Sequence, residues 1–224
     1  MRRFSFENGL SIFFGLLFLA TLGGQSIAGW KDYNDELAAH GDSPIGYGRF
    51  IFSSEYGAAI LENWQSEYLQ FFTFILATIW LVQRGSNESK KLDEVGLESD
   101  QQQRVGSHAA PNSPRFARAK GFLFHLYANS LLIVMGLLFL GSWFAQSVTT
   151  WTVYNADAID HDEPTVSWGS YLMTPDFWEK SLQNWQSEFL AVGTMAAFTI
   201  YLRQRGSPES KPVGAPHDET ASSG

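Results

Sequence analysis

The residues best suited to chemistry in this sequence are two glutamates, Glu67 and Glu188. Each ends a copy of the same pentapeptide, NWQSE, at positions 63–67 and 184–188. A carboxylate beside an apolar helical run is costly in a membrane, and such residues commonly handle protons or cations. Two carboxyl groups brought together at low dielectric can also share a proton. The pattern therefore predicts a proton or cation site built on the two glutamates.

Other polar residues are expected to join this site. Asn63, Ser66 and Glu67 are spaced i, i+3, i+4, so they share one face of a helix. Gln25 is expected at the same depth as Glu67, about 25 Å along its own helix at 1.5 Å per residue. The predicted site comprises Gln25, Asn63, Ser66, Glu67, Gln146, Asn184, Ser187 and Glu188.

The same residues allow a structural interpretation. Each glutamate can reach water from the outer end of its helix. Asn63 and Ser66 then simply hydrogen-bond between helices, as polar residues in membrane bundles do. On this alternative the protein is a structural or partner-binding membrane protein, whose acidic outer loops or linker recruit another subunit. This is the default expectation, with a small proton- or cation-handling transporter or channel component as the alternative.

Metal, cofactor and enzyme chemistry have little support in the sequence. His40 and His161 lie beside carboxylates at equivalent positions and are weak metal candidates, because no third nitrogen ligand accompanies them. Cysteine is absent, which excludes disulfides and thiolate metal sites. No nucleophile elbow, Walker loop or dinucleotide fingerprint occurs. We therefore expect no cofactor and no enzymatic activity.

The elements that must position the glutamates come as a repeat. Residues 8–90 match the residues 121 positions further along without a gap. We interpret this as a tandem duplication of a two-helix membrane unit, with parallel halves related by an axis along the membrane normal. Spans are predicted at 9–28 and 121–146, a longer helix at 54–83, and a fourth span around 185–202. In the fourth, Thr174-Pro175-Asp176 has the composition of a helix start.

Charge gives the expected orientation. The net charge of -8 lacks the basic face that nucleic acid requires, so no nucleic-acid partner is expected. Most basic residues fall on one side of the predicted spans, which the positive-inside rule makes cytoplasmic. That side holds Arg2, Arg3, Arg84, Lys90, Lys91, Arg104, Arg115, Arg118, Lys120, Arg203, Arg205 and Lys211. The other side holds Lys31, Arg49 and Lys180. Both termini are therefore predicted to be cytoplasmic.

Domain boundaries follow from the repeat and from composition. The first two-helix repeat covers 1–84 and the second covers 121–205. The polar segments 85–120 and 206–224 are predicted to be a largely disordered cytoplasmic linker and a disordered cytoplasmic tail. Tryptophans at the outer ends of the helices are expected to be interfacial anchors. These are Trp30, Trp64, Trp151 and Trp185.

The doubled NWQSE pentapeptide, each copy leading to Gln-Arg-Gly-Ser, resembles an uncharacterised family of small bacterial four-helix membrane proteins. That family is named as a domain of unknown function, so the resemblance implies a bacterial inner membrane and transfers no catalytic residue. The expected fold class is all-α, an integral membrane bundle of four transmembrane helices. The expected partners are the lipid bilayer and either a second copy of the chain or another membrane protein.

Overall fold

The structure is a computed structural model and describes residues 2–221. Eight α-helices and no strand occur in this part of the chain, which confirms the all-α class. In chain order they are α1 (Arg2–Glu7), α2 (Gly9–His40), α3 (Tyr47–Phe50), α4 (Ser54–Ala77), α5 (Phe122–Ala128), α6 (Ser130–Asp160), α7 (Trp168–Tyr171) and α8 (Pro175–Tyr201).

Two of these helices, α2 and α6, are long and apolar enough to cross a membrane. By the same measure of length and composition, α4 and α8 are not, so the predicted four transmembrane helices are not supported. The physical reason is visible in α4. It carries Glu55, Glu62 and Glu67, and it ends at Ala77 and not near 83 as predicted. Only residues 68–77 form an uncharged stretch, half the usual span of about 20 residues.

Helices α2 and α6 continue well past the predicted ends of their spans. With 32 residues, α2 is about 48 Å long at 1.5 Å per residue, which exceeds a hydrocarbon layer of about 30 Å. Each helix is followed by a residue in the left-handed region, Gly41 at φ 84° after α2 and Asp162 at φ 57° after α6. In each case the next amide donates back to the helix, Asp42 to Leu37 in α2. Much of the predicted outer loops is therefore helical.

The described chain divides into two compact units. The first contains residues up to Ile60 together with Val148–Trp168, and the second contains Leu61–Ser147 together with residues from Gly169 onward. In the first unit, the loops after α2 and α6 are each held by an asparagine. The Asn34 side chain accepts from the Ile45 amide at 2.7 Å and donates to the Ile45 carbonyl at 3.1 Å. Asn155 holds Val166 in the same way, at 2.9 Å for both bonds.

The second unit holds α8 and most of α4 and of α6. Helix α6 approaches α4 closely at Gly136, where an added Cβ would lie 3.1 Å from the Phe72 ring. It meets α8 through Trp143, whose indole nitrogen donates to Ser181 at 3.1 Å. These contacts depend on small and hydroxyl residues at helix crossings, the means by which helices associate in membranes.

Among the described residues, the buried side chains are mostly polar and many large apolar side chains are exposed. Thirteen polar or charged residues are buried, against seven apolar or aromatic ones. Large apolar side chains of α2 and α6 are instead exposed, for example Leu10 at 75% and Leu137 at 65%. Because soluble proteins rarely expose such continuous apolar surface, this distribution is typical of helices that contact lipid.

Candidate functional site

Helices α4 and α8 position the two pentapeptides. Helix α8 begins as its sequence predicts, because Thr174 is the N-cap and accepts from the Phe177 amide at 3.4 Å. Pro175 occupies the first turn, where its missing amide donor costs nothing. Asp176 in the same turn pairs with Lys180 at 3.1 Å. This fixed start sets the rotation of α8 and therefore the direction of its pentapeptide.

The two pentapeptides contact each other. The Trp185 indole nitrogen donates to the Gln65 side-chain oxygen at 2.7 Å. Gln65 is fully buried, and its amide nitrogen donates to the Glu62 carbonyl at 3.1 Å. Both polar ends of this buried amide are therefore satisfied, as a low-dielectric environment requires. The contact is asymmetric, since Gln186, the equivalent of Gln65 in α8, is exposed.

The two glutamates are near neighbours in this contact. The charge of Glu67 acts on Glu188, and the Ser66 hydroxyl lies near the Glu188 carboxylate. Ser66 is buried, and its hydroxyl donates to the Asn63 carbonyl at 2.8 Å. Glu188 is half-buried, whereas Glu67 is exposed. The pentapeptide contact thus contains two carboxyl groups whose charges interact, one half-buried and one exposed.

The other predicted site residues have different environments. Asn184 donates to the Lys180 carbonyl at 3.0 Å, and Ser187 donates to the Asn184 carbonyl at 2.8 Å. Both side chains therefore form hydrogen bonds within their own helix, α8. Gln146 is fully buried on α6 in the second unit. Gln25 lies in the first unit and is exposed. The residue after it, Ser26, is buried.

The four tryptophans predicted to be interfacial anchors differ in their contacts. Trp30 donates to the Ile45 carbonyl at 2.8 Å and Trp151 to the Val166 carbonyl at 2.8 Å, so each reinforces an asparagine-held loop. Trp185 packs against Trp143, with ring centroids 5.5 Å apart. Trp64 is 37% exposed. The anchor assignment stays a prediction.

The two candidate metal-binding histidines lie at the C-terminal ends of α2 and α6, and each contacts a carbonyl of the last turn. The His40 Nδ1 atom lies 3.0 Å from the Glu36 carbonyl, and the His161 Nδ1 atom lies 2.9 Å from the Asp157 carbonyl. The hydrogen bond to the Asp157 carbonyl, and then the Asp157 charge, raise the pKa of His161. Within residues 2–221, no group of three or more histidine, aspartate and glutamate side chains is arranged to hold a metal ion.

A further repeated feature, which the sequence did not identify as a structural motif, follows α4 and α8. The octapeptide QRGSxESK occurs at 83–90 and 204–211 and forms the same hydrogen-bonded turn twice, which we call the serine turns. In the first turn the Ser89 hydroxyl accepts from the Gln83 amide at 2.8 Å. In the second, Ser210 accepts from Gln204 at 2.9 Å. Both octapeptides lie within the repeat, but their sequence did not indicate that each closes a hydrogen-bonded turn.

The serine turns bring together two more glutamates, Glu88 and Glu209. Burial, followed by the charge of Glu209 and a hydrogen bond with it, raises the pKa of Glu88. The serine turns also lie at the beginning of the predicted linker and tail, and the second turn forms hydrogen bonds with the tail. The Lys211 ammonium donates to the Pro216 carbonyl at 3.1 Å and to the His217 carbonyl at 3.0 Å. The disorder predicted for the rest of 85–120 and 206–224 stays a prediction.

Replacing Gly85 by alanine is expected to destabilise the protein more than replacing Gly206 by alanine. Both glycines have φ 84°, where an L-residue costs about 1–2 kcal/mol. An added Cβ at Gly85 would also lie 2.2 Å from the His217 carbonyl oxygen, whereas nothing lies within 4 Å at Gly206. Hydrogen exchange of residues 212–221 should accelerate in G85A and stay near wild type in G206A. Equal exchange in the two variants would contradict this packing.

Comparison with known proteins gives a family and no function. A family model that describes a domain of unknown function matches residues 1–222. No curated protein matches the chain. No solved structure matches it either. The pentapeptide contact and the serine turns therefore have to be interpreted from their own chemistry.

Proposed function

The chain belongs to the DUF6766 family, whose function is unknown, and we propose that it is a multi-pass membrane protein that handles protons or small cations. The observation that carries this proposal is the contact between the two pentapeptides. It brings Glu67 and Glu188 together beside the Ser66 hydroxyl on neighbouring helices. A carboxylate pair of this kind can accept and release one proton, or hold one cation, without a large rearrangement.

Placement in a membrane is supported by surface chemistry. The most apolar 18-residue windows of α2 and α6 are only 6% and 17% buried within the chain. A core helix of a soluble protein would bury most of such a window, so lipid is the natural cover for these helices. We propose further that α4 and α8 also cross the bilayer. Their polar residues then face one another and their apolar residues face lipid, in an inner membrane with both termini cytoplasmic.

In this proposal each residue of the contact has a role. Glu67, which is exposed, exchanges protons or cations with the outside. Glu188, which is half-buried, is the acceptor, and its neighbour Glu67 is the group with which it exchanges a proton. The Gln65–Trp185 hydrogen bond holds the two helices at the spacing that keeps the carboxylates together. Catalytic chemistry is not part of the proposal.

Proton flux through the purified protein tests this function. The full chain is reconstituted into liposomes containing a pH-sensitive dye, and a pH gradient is imposed with and without sodium or potassium on one side. We expect the gradient to collapse faster than in liposomes without protein, with a rate proportional to the protein-to-lipid ratio. A rate equal to that of empty liposomes under every cation condition would refute the proposal.

The structural or partner-binding function remains the second candidate. It is favoured by the exposed position of Glu67 and by the fully satisfied Gln65, which together resemble a packing contact more than a pathway. It requires that both glutamates are dispensable. It also requires that cross-linking in membranes captures a second copy or another membrane protein.

Cysteine labelling distinguishes four membrane crossings from two. The sequence contains no cysteine, so single substitutions at the exposed residues Ser43, Ser107 and Thr165 each give one reactive site. With four crossings and cytoplasmic termini, an impermeant maleimide added to intact cells should label S43C and T165C but not S107C. If only α2 and α6 cross, positions 43 and 107 lie on one side and label alike, and T165C differs from both.

A further inference from the structure

A cavity of about 220 Å³ lies between α4, α8 and the serine turns. Its walls are contributed equally by the two copies of the repeat, at positions 121 residues apart. The pairs used below are Phe71 with Val192, Phe74 with Met195, and Glu88 with Glu209. The cavity therefore has apolar walls from the two helices and two carboxyl groups from the turns.

The two carboxyl groups have no cationic partner among the described residues. One oxygen of Glu88 is enclosed and receives no hydrogen bond from a donor group. The neighbouring charge is Glu209, which is also acidic. Glu88 is half-buried and Glu209 is exposed, and two carboxylates at short range repel each other unless a positive charge or a proton joins them.

Basic side chains near the turns in sequence are engaged elsewhere. Arg84 pairs with Asp218 at 3.1 Å, and Lys90 pairs with Glu98 at 2.5 Å. Lys211 is buried and donates to three backbone carbonyls of the tail, and Arg203 donates to the Ala215 carbonyl at 2.9 Å. These four cations are therefore bound to other partners. A cation from outside the protein can supply the positive charge that they do not.

We propose that this cavity binds a small organic ammonium ion, with the ammonium group between Glu88 and Glu209 and the apolar part against the α4 and α8 walls. A metal ion fits less well, because Ca²⁺ or Mg²⁺ requires at least six oxygen ligands and most of this lining is carbon. The Phe71 and Phe74 rings form the apolar wall on the α4 side. Met195 adapts to an irregular apolar group.

The size of the cavity limits the ligand. At about 220 Å³ it is smaller than the roughly 300–1,000 Å³ typical of sites for drug-sized ligands. An amine with one aromatic ring or a short alkyl chain is therefore the expected class. The site is separate from Glu67 and Glu188, so binding does not depend on the flux proposed for them.

Binding of 4-fluorobenzylamine tests the proposal. The full-length protein is placed in nanodiscs of zwitterionic lipid, and the ligand's fluorine resonance is followed during titration. Neutral 4-fluorobenzyl alcohol has nearly the same shape and serves as the ligand control. We expect saturable binding of the amine and none of the alcohol. In E88Q/E209Q the affinity should fall by at least about 10-fold, since hydrogen bonds to charged groups are the strong ones.

Three further variants make the outcome specific. E94Q changes an exposed glutamate of the same segment and should bind like wild type. E67Q/E188Q should also bind like wild type, so lost flux with retained amine binding would refute only the proposed function. M195W fills the cavity and should abolish binding with both carboxylates present. Equal binding of the alcohol, or full amine affinity in folded E88Q/E209Q or M195W, would overturn the inference.

Discussion

Replacing Glu67 and Glu188 together by glutamine is expected to abolish proton- or cation-dependent flux in liposomes while the protein still folds. Glutamine keeps the size and the hydrogen-bonding capacity of the side chain but cannot take up or release a proton near neutral pH. Because the two carboxyl groups are neighbours, one can substitute for the other. Each single variant should therefore retain part of the flux, and only the double variant should lose it.

The matched control is E179Q, which changes another glutamate of α8. Glu179 is exposed and lies two turns before the pentapeptide contact, so its replacement should leave the flux at the wild-type rate. The melting temperature and the tryptophan emission of both variants show whether the fold is kept. Wild-type flux in a folded E67Q/E188Q variant would exclude the glutamates from the pathway and favour the structural function.

Replacing Trp185 by alanine is expected to destabilise the protein by about 3–5 kcal/mol, the usual cost of removing a packed aromatic side chain. Trp185 contacts Trp143 and Phe139, with ring centroids 5.5 and 6.1 Å apart. Its loss also leaves the buried Gln65 oxygen without its indole donor, which adds about 1–3 kcal/mol where water cannot enter. Reversible unfolding in mixed micelles measures this difference.

Trp64 provides the matched control for that experiment. It occupies the same position of the pentapeptide in α4 but is 37% exposed. Its replacement by alanine should cost about 1 kcal/mol, an average value for a point mutation. Adding Gln65→Leu to Trp185→Ala removes the stranded oxygen, so the double variant should be more stable than the sum of the single effects predicts. Equal destabilisation by W64A and W185A would contradict the asymmetric contact.

Local sequence determined the helical class and several helix boundaries. The Thr174-Pro175-Asp176 start of α8 depends only on the cap hydroxyl and the proline ring, which act within one turn. The apolar character of α2 and α6 is likewise a property of the segments themselves. The pentapeptides could be found by inspection, because a repeated motif needs no knowledge of the fold.

Lengths and faces were harder to predict from sequence. Helix α2 runs on to His40 because its polar outer part is still a good helix with a left-handed cap, whereas hydropathy marks only the apolar part. Gln25 and Ser26 are adjacent, yet only Ser26 is buried, since its hydroxyl meets Tyr47 at 2.7 Å. A difference of one residue rotates a side chain by about 100° around a helix, so depth alone cannot select the face.

Only the tertiary structure determined which residue of each repeated motif forms the contact between the two copies. Identical pentapeptides contribute different residues to their contact, Gln65 from α4 and Trp185 from α8. The approach of Glu88 to Glu209 likewise depends on two turns that are far apart in sequence. Local propensities encode helices and caps, but a carboxylate pair is created only when separate helices pack, and no short-range rule contains that distance.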